Sequence, residues 1–241
     1  MSLGAGCLMV VLCILVPATA WADWLLLLHS EAGSRFGDNW EAKIEVEGKF
    51  RDNMREYYDL EVMPWAAYRF TAWFKFGLGW RELVWRTNRA VYTKQVEKDR
   101  GAQTYSQVSG HYWQVEHRPL ADFMFTVTAW LITIEERLRV EYRQIENQDA
   151  FFRYRNRLRL RPPWKWTEYE LRPWVAWEGY YEDNPSWPPG ERLNRHRLFI
   201  GLDALIDTKI KTGGYYYYEY VLLNGEWGYN NEIGLEISMA Y

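Results

Sequence analysis

The chain has 241 residues, a formal net charge of -3, a mean hydropathy of -0.45, and 15 Trp and 18 Tyr. That polarity excludes a bundle of membrane helices, which needs runs of about 20 apolar residues. It does not exclude a β-barrel, whose wall alternates lipid-facing and lumen-facing residues and averages to polar.

The first 22 residues carry an apolar core from Cys7 to Val16, then Pro17 and the small-residue ending Ala20-Trp21-Ala22. This reads as a secretory signal peptide, residues 1–22, cut after Ala22. It departs from the usual pattern in having no Lys or Arg before the core, and Leu12 stands before Cys13 where a lipoprotein signal has a small residue. Both cysteines, Cys7 and Cys13, leave with it. Residues 23–241 are then expected to form one barrel domain with no disulfide, thiol nucleophile or cysteine-bound metal. Trp24 to His29 includes four consecutive leucines, so 23–38 reads as either an extra strand or a periplasmic lead-in or plug.

From Asn39 onward the pattern has period two, the signature of strands with one wet and one dry face. Ala42, Ile44, Val46 and Phe50 alternate with Lys43, Glu45, Glu47 and Lys49. Tyr58, Leu60, Val62, Ala66 and Tyr68 stand against Asp59, Glu61 and Arg69, and Phe74, Phe76, Leu78 and Trp80 against Lys75 and Arg81. After a polar stretch, Phe123, Phe125 and Val127 resume the pattern. Leu138, Val140 and Tyr142 then alternate with Arg137, Arg139, Glu141 and Arg143, and Phe152, Tyr154, Leu158 and Leu160 with Arg153, Arg155, Arg157, Arg159 and Arg161. Trp177 and Val175 oppose Glu168, Glu170, Arg172 and Glu178 in the next segment, and Leu198 and Ile200 oppose Arg195 and Arg197 in the one after. Tyr216, Tyr218 and Tyr220 alternate with Glu219. The chain closes on Ile233, Leu235, Ile237, Met239 and Tyr241, which resembles the C-terminal targeting signal of outer-membrane barrels.

The fold class expected is all-β, a single antiparallel transmembrane β-barrel of about 10 strands, or about 12 if the leucine segment finds a partner within Gln103 to Ser109. Outer connections fall near Thr87 to Gly110, Glu146 to Asp149, Glu182 to Gly190 and Asn224 to Trp227. Inner turns fall near Thr71, Ala129 to Ile132, Pro162 to Trp166 and Asp207.

The arginine row from Arg153 to Arg161 fixes which face is inside. Each Arg facing lipid would cost about 2–4 kcal/mol near the midplane. The residues expected to line the lumen are therefore Arg137, Arg139, Glu141, Arg143, Arg153, Arg155, Arg157, Arg159, Arg161, Glu168, Glu170, Arg172, Glu178, Arg195 and Arg197. A tight turn at Pro162-Pro163 would set Arg161 opposite Glu168 and Arg159 opposite Glu170, with Glu141 opposite Arg155 and Glu178 near Arg195. Such a lattice either packs a narrow interior or makes a basic lining that selects anions.

For an enzyme, Ser109 with His111 is the best nucleophile and base pair, with Glu116 and Arg118 on the other face of the same strand. His29 and Ser30 are adjacent, so they point to opposite faces, and His196 lies on the apolar face. No catalytic residue and no metal site is assigned, and no cofactor is expected.

Trp24, the segment Glu116-His117-Arg118, the runs Arg137 to Arg143 and Arg153 to Arg161, and Asn194-Arg195-His196-Arg197 before Gly201 follow one another in a telling order. In these pieces the chain resembles a bacterial family catalogued as domain of unknown function 2490. The resemblance implies an outer-membrane barrel and brings no established activity. The function expected is a non-enzymatic barrel of a Gram-negative outer membrane, structural or a narrow anion-preferring conduit. A barrel enzyme acting on lipid and a soluble periplasmic binding protein are the alternatives. Expected partners are outer-membrane lipid and the barrel-assembly machinery, with no nucleic acid, and the small-molecule or ion ligand is unknown.

Overall fold

The computed structural model describes residues 24–51, 56–96, 103–185, 188–223 and 225–240. Residues 1–23, on which the expected signal segment falls, and Tyr241 lie outside them. The strands are β1 (Trp24–Phe36), β2 (Trp40–Arg51), β3 (Glu56–Arg69), β4 (Phe74–Val96), β5 (Gln103–Ala129), β6 (Ile132–Ile145), β7 (Phe151–Arg161), β8 (Arg172–Glu182), β9 (Leu193–Leu205), β10 (Ile210–Leu223) and β11 (Glu226–Ala240). Each pairs with its chain neighbour and β1 pairs with β11, closing the barrel.

The count of eleven corrects both expected values. The leucine segment is a wall strand, neither a lead-in nor a plug, and it needs no partner from Gln103 to Ser109. Hairpins reverse direction at every step, so an odd number leaves the first and last strands pointing the same way. They close as a parallel pair, from Trp24↔Asn231 to Gly33↔Ala240. A parallel ladder still satisfies the backbone groups of both edges, so no open edge remains. We call the end where Ala240 lies the C-terminal rim and the other the far rim.

The expected connection from Thr87 to Gly110 is also corrected. The β4–β5 ladder continues from Arg86↔Trp113 to Val96↔Gln103, beyond the last pairs that β3 and β6 make with these strands. At about 3.3 Å per residue this two-stranded arm rises roughly 30 Å above the wall at the far rim. The polar sequence there hides the strands, which among the described residues pair with each other and with no third strand.

Most faces follow the alternation. Leu28, Ile44, Leu60, Leu78, Leu138, Leu158, Val175, Leu198 and Ile200 are exposed on the outside. Large rings gather at both ends of this aliphatic band. Phe36, Trp40, Phe70, Trp73, Trp130 and Trp164 stand at the C-terminal rim, and Tyr57, Trp113, Tyr181, Trp227 and Tyr229 at the far rim. Ile237 and Met239 also face outward, beside the buried interior Glu232. One face differs from expectation. Phe50 pairs with Tyr57 and Lys49 with Asp59, so Tyr58 is the extra residue of a β-bulge and turns into the interior.

Inside, aromatic rings lie on glycines. The Trp65 ring spreads over Gly77 on β4 and its Nε1 donates to Asp122 Oδ2 on β5 at 3.1 Å. Arg139 on β6 clamps the same carboxylate from both sides, with Nε to Oδ1 and Nη2 to Oδ2 each 2.7 Å. One ring thus ties four consecutive strands. Trp174 covers Gly201 and donates to Asp203 Oδ1 at 2.8 Å in the same manner, and Tyr215 covers Gly234. Met63, Ala67 and Leu120 pack around Trp65, and Ala176, Phe199 and Tyr217 around Trp174.

Two outcomes follow for this architecture. Because residues 23–241 lack cysteine, Leu28→Cys with Leu235→Cys, a direct pair across the seam, should form an oxidised cross-link visible as a gel shift in the folded barrel. A barrel closed by β2 against β11 would give none. A Cβ on Gly77 would lie 2.6 Å from the Trp65 ring, so Gly77→Ala should destabilise by about 1–3 kcal/mol through overpacking. Gly190→Ala, with nothing within 4 Å, should stay within about 0.5 kcal/mol in the same urea titration.

Candidate functional site: the barrel interior

Strand alternation delivers charged side chains to the inside of every strand from β1 to β11. They enclose a cavity of about 620 Å³ to which all eleven strands contribute lining residues. It is the lumen itself, not a surface cleft.

The part built by β6 to β9 is an ion-pair lattice. Glu141 is fully buried and receives Arg153 together with Arg155, whose Nη1 is 3.1 Å from Oε1. Arg155 also reaches Glu178 at 2.9 Å, and Glu178 accepts the Tyr180 hydroxyl at 2.6 Å. Arg143 joins Glu116, itself held by Arg118, to Glu182 at 2.9 Å. Arg197 is bound to Glu219 at 2.6 Å, and Arg161 to Glu135 at 2.6 Å and Asp203 at 3.2 Å. Arg195 lies 3.6 Å from Glu219, and Arg137 3.5 Å from Glu178. Arg159 sits over the Trp174 ring, 3.7 Å from its centroid.

The expected pairings need correction. Arg161 and Arg159 do not face Glu168 and Glu170, because the connection from Pro162 to Leu171 is not tight. It folds back through a Trp166↔Leu171 bridge outside the wall, where Glu168 is exposed and Glu170 half-exposed. Lys165 hydrogen-bonds Glu170 at 2.8 Å and Arg172 also binds it, holding this carboxyl below its usual range. Arg159 instead stands opposite Ala176, and Glu178 opposite Arg157. Glu141 stands opposite Arg153 and reaches Arg155 diagonally. A register shift at Tyr180/Tyr181 puts Glu178 opposite Arg197 and leaves Tyr180 opposite Arg195.

Around the ring the charges are sorted. Strands β11, β1, β2 and β3 are contiguous through the parallel seam, and they present Glu232 and Glu236, Glu31, Glu45 and Glu47, and Asp59 and Glu61. Their cations are Lys43, bound to Glu31 at 2.7 Å, and Lys49, bound to Glu61 at 2.5 Å and Asp59 at 3.1 Å, with His29 3.6 Å from Glu47. Strands β6 to β9 face this acidic arc with eight arginines on the cavity and one carboxylate, Glu178. Sequence reasoning missed the acidic arc as a site. Its alternation was visible, but its nearness to β11 depends on the seam.

A family model described as protein of unknown function DUF2490 matches residues 26–230. The chain belongs to that family. No curated protein matches the sequence. Among solved structures, the DUF2490 chain is similar to the β domain of the Bordetella autotransporter BrkA. The two have 15% identity and a TM-score of 0.50, with 83% of this chain and 82% of that one covered. At this identity the likeness shows the fold, an all-β barrel, and nothing finer.

The histidines of this DUF2490 barrel have separate settings. His196 is outside, stacked between Trp177 and Trp227 with centroids 5.9 and 5.7 Å away. His117 is also outside, its Nδ1 2.8 Å from Glu82 Oε2, to which Trp80 donates at 3.0 Å. Ser109 and His111 lie on the arm, and their side chains fall outside the described ones. Eight residues of strand, about 26 Å at 3.3 Å each, separate Ser109 from His117. Among the described residues no group of three or more His, Cys, Asp or Glu could hold a metal.

Removing one member of a buried ion pair strands the other, at about 3–5 kcal/mol. Glu141→Ala should therefore lower barrel stability by about that amount. Arg172→Ala, at a half-exposed pair on the rim, should cost no more than about 1 kcal/mol. Urea unfolding of the refolded barrel measures both.

Proposed function

We propose that this chain is a non-enzymatic outer-membrane β-barrel, exported by the segment 1–22, whose wet lumen conducts small ions with a mild preference for anions. The observation that carries the reading is the cavity of 620 Å³ lined by charged side chains from all eleven strands. At about 30 Å³ per molecule it has room for roughly 20 waters. Its lining holds twelve Lys and Arg against ten Asp and Glu, a small positive excess. An excess of Arg selects anions in pores, and the acidic arc dilutes the effect.

The exterior supports a membrane site. Its aliphatic band lies between two sets of exposed rings, the arrangement barrels use at the two lipid interfaces. The end of β11, Ile233, Leu235, Ile237 and Met239 followed by Tyr241, fits a targeting role recognised by assembly machinery. A purely structural role is the second reading, favoured by the saturation of Glu141 and Glu178 within the lattice.

Membrane fractionation should place the protein with the outer membrane, and a soluble pool would overturn the location. In planar bilayers the wild type should give discrete steps with weak anion preference. Arg157→Glu makes the lining eleven against eleven, and the reversal potential should move to zero selectivity or beyond. A barrel that inserts without any steps would be a structural one.

A further inference from the structure

Most interior charges satisfy one another, but the exceptions fall on opposite sides of the lumen. On the basic side, Arg157 faces the cavity, and among the described residues no carboxylate lies within ion-pairing distance of it. Its register partner Glu178 is occupied by Arg155 at 2.9 Å, Arg137 at 3.5 Å and the Tyr180 hydroxyl. The opposite neighbour of Arg157, across β6, is another arginine, Arg137. Arg157 rests over Phe199, 4.9 Å from its centroid, with Nε unpartnered. Here positive charge exceeds its local compensation.

On the acidic side the reverse holds. Glu232 is 5% exposed, faces the cavity, and has Oε2 without a hydrogen-bond partner. Glu236 faces the same space four residues along β11, beyond Gly234, and among the described residues neither has an ion-pair partner. Between the two sides stands Tyr217 on β10, 1% exposed, with its hydroxyl unpartnered and lining the same cavity. A buried polar atom left without a partner is destabilised, so each of these unpartnered atoms favours an arrival that bonds to it.

We propose that the lumen is a binding chamber for a small zwitterion, its carboxylate or other oxyanion held by Arg157 and its ammonium by Glu232, with Glu236 adding negative charge from the same strand. Arg157 offers a planar donor fork suited to an oxyanion. The Glu232 carboxylate offers acceptors to an ammonium, which has three donors, and Glu236, about 13 Å further along the same strand face, adds negative charge from the same wall. The Tyr217 hydroxyl can donate to the anionic end or accept from the cationic one. A chamber of 620 Å³ is within the range of small-molecule sites. The opposed arcs orient a dipole across the lumen, so a molecule carrying both charges gains at both ends and a simple ion at one. The inference rests on the reading of the interior as a wet charged chamber.

The test is calorimetric titration of the refolded full chain in detergent, which needs no ion conduction. The probes are glycine, γ-aminobutyrate and ε-aminocaproate, with acetate and ethylammonium as single-charge controls. At least one zwitterion should bind about tenfold or more tighter than either control, the effect of one extra charge-assisted hydrogen bond. Arg157→Gln and Glu232→Gln should each remove about tenfold of that affinity, with Glu236→Gln as the second acidic variant should Glu232→Gln fail to fold. Acetate binding as tightly as every zwitterion, no binding of any zwitterion, or zwitterion binding that survives both substitutions would each overturn the proposal. Zwitterion binding by a barrel that gives no conductance steps would keep this chamber and remove only the conduit.

Discussion

A carboxylate on the inner face of a closed barrel cannot turn back to bulk water, and its protein neighbours must do what solvent did. Glu141 is the clearest case, with no exposure and two guanidinium partners from the adjacent strand. Taking either charge out of water costs several kcal/mol, which only a well-aligned partner offsets. The dependence then propagates. Arg155 is shared with Glu178, and Glu178 draws on Arg137 and Arg197. Four strands, β6 to β9, are thus held in one register by groups that cannot be satisfied separately. The same constraint acts through Asp122 and Asp203, each of which is bonded both by arginine and by an indole lying over a glycine. Ladder hydrogen bonds make the wall, and the interior charges determine which register of the wall is tolerable.

This division explains what the sequence could show. Which face a residue occupies is a local property, since a period of two is written into the strand. Arg137 to Arg143 and Arg153 to Arg161 could be assigned a common face from spacing alone. Which residue stands opposite another is set by the connection between them. Pro162-Pro163 suggested a tight turn, yet the chain folds through Trp166 and Leu171 before β8 begins, so Glu168 and Glu170 never enter the wall. Bulges add a further offset that hydrophobicity does not record. The extra residue at Tyr58 and the shift at Tyr180 each change partners downstream with the polarity pattern left intact.

Closure was the least legible feature, because no local signal marks a strand whose partner lies at the other end of the chain. Read alone, Leu25 to Leu28 fit an extra strand as well as a lead-in or plug. Paired with β11 they complete the ring, and the seam has a chemical consequence. It sets Glu232 and Glu236 beside His29, Glu31 and the carboxylates of β2 and β3. A barrel of ten strands would have joined β2 to β11 directly. The acidic arc therefore owes its continuity to the parallel pair, as the basic arc owes its own to two consecutive arginine-rich hairpins.

The separation of these arcs bears on whether the lumen is wet. Opposite charges facing one another across a dry, low-dielectric space attract at energies far above those in water, and flexible Arg and Lys side chains would extend until they met. The basic side does form such contacts at most carboxylates within reach, as at Glu219 and Glu182. Yet Arg157 stays over Phe199 and Glu232 stays on its own wall, with the cavity between the walls. Charges held apart in this way are tolerable where a polar medium fills the gap, and costly where nothing does. The interior thus has two regimes. One is the ion-paired lattice of β6 to β9, most of whose charges are spent on one another. The other is the gap facing β11, where charge is left over to act on something else.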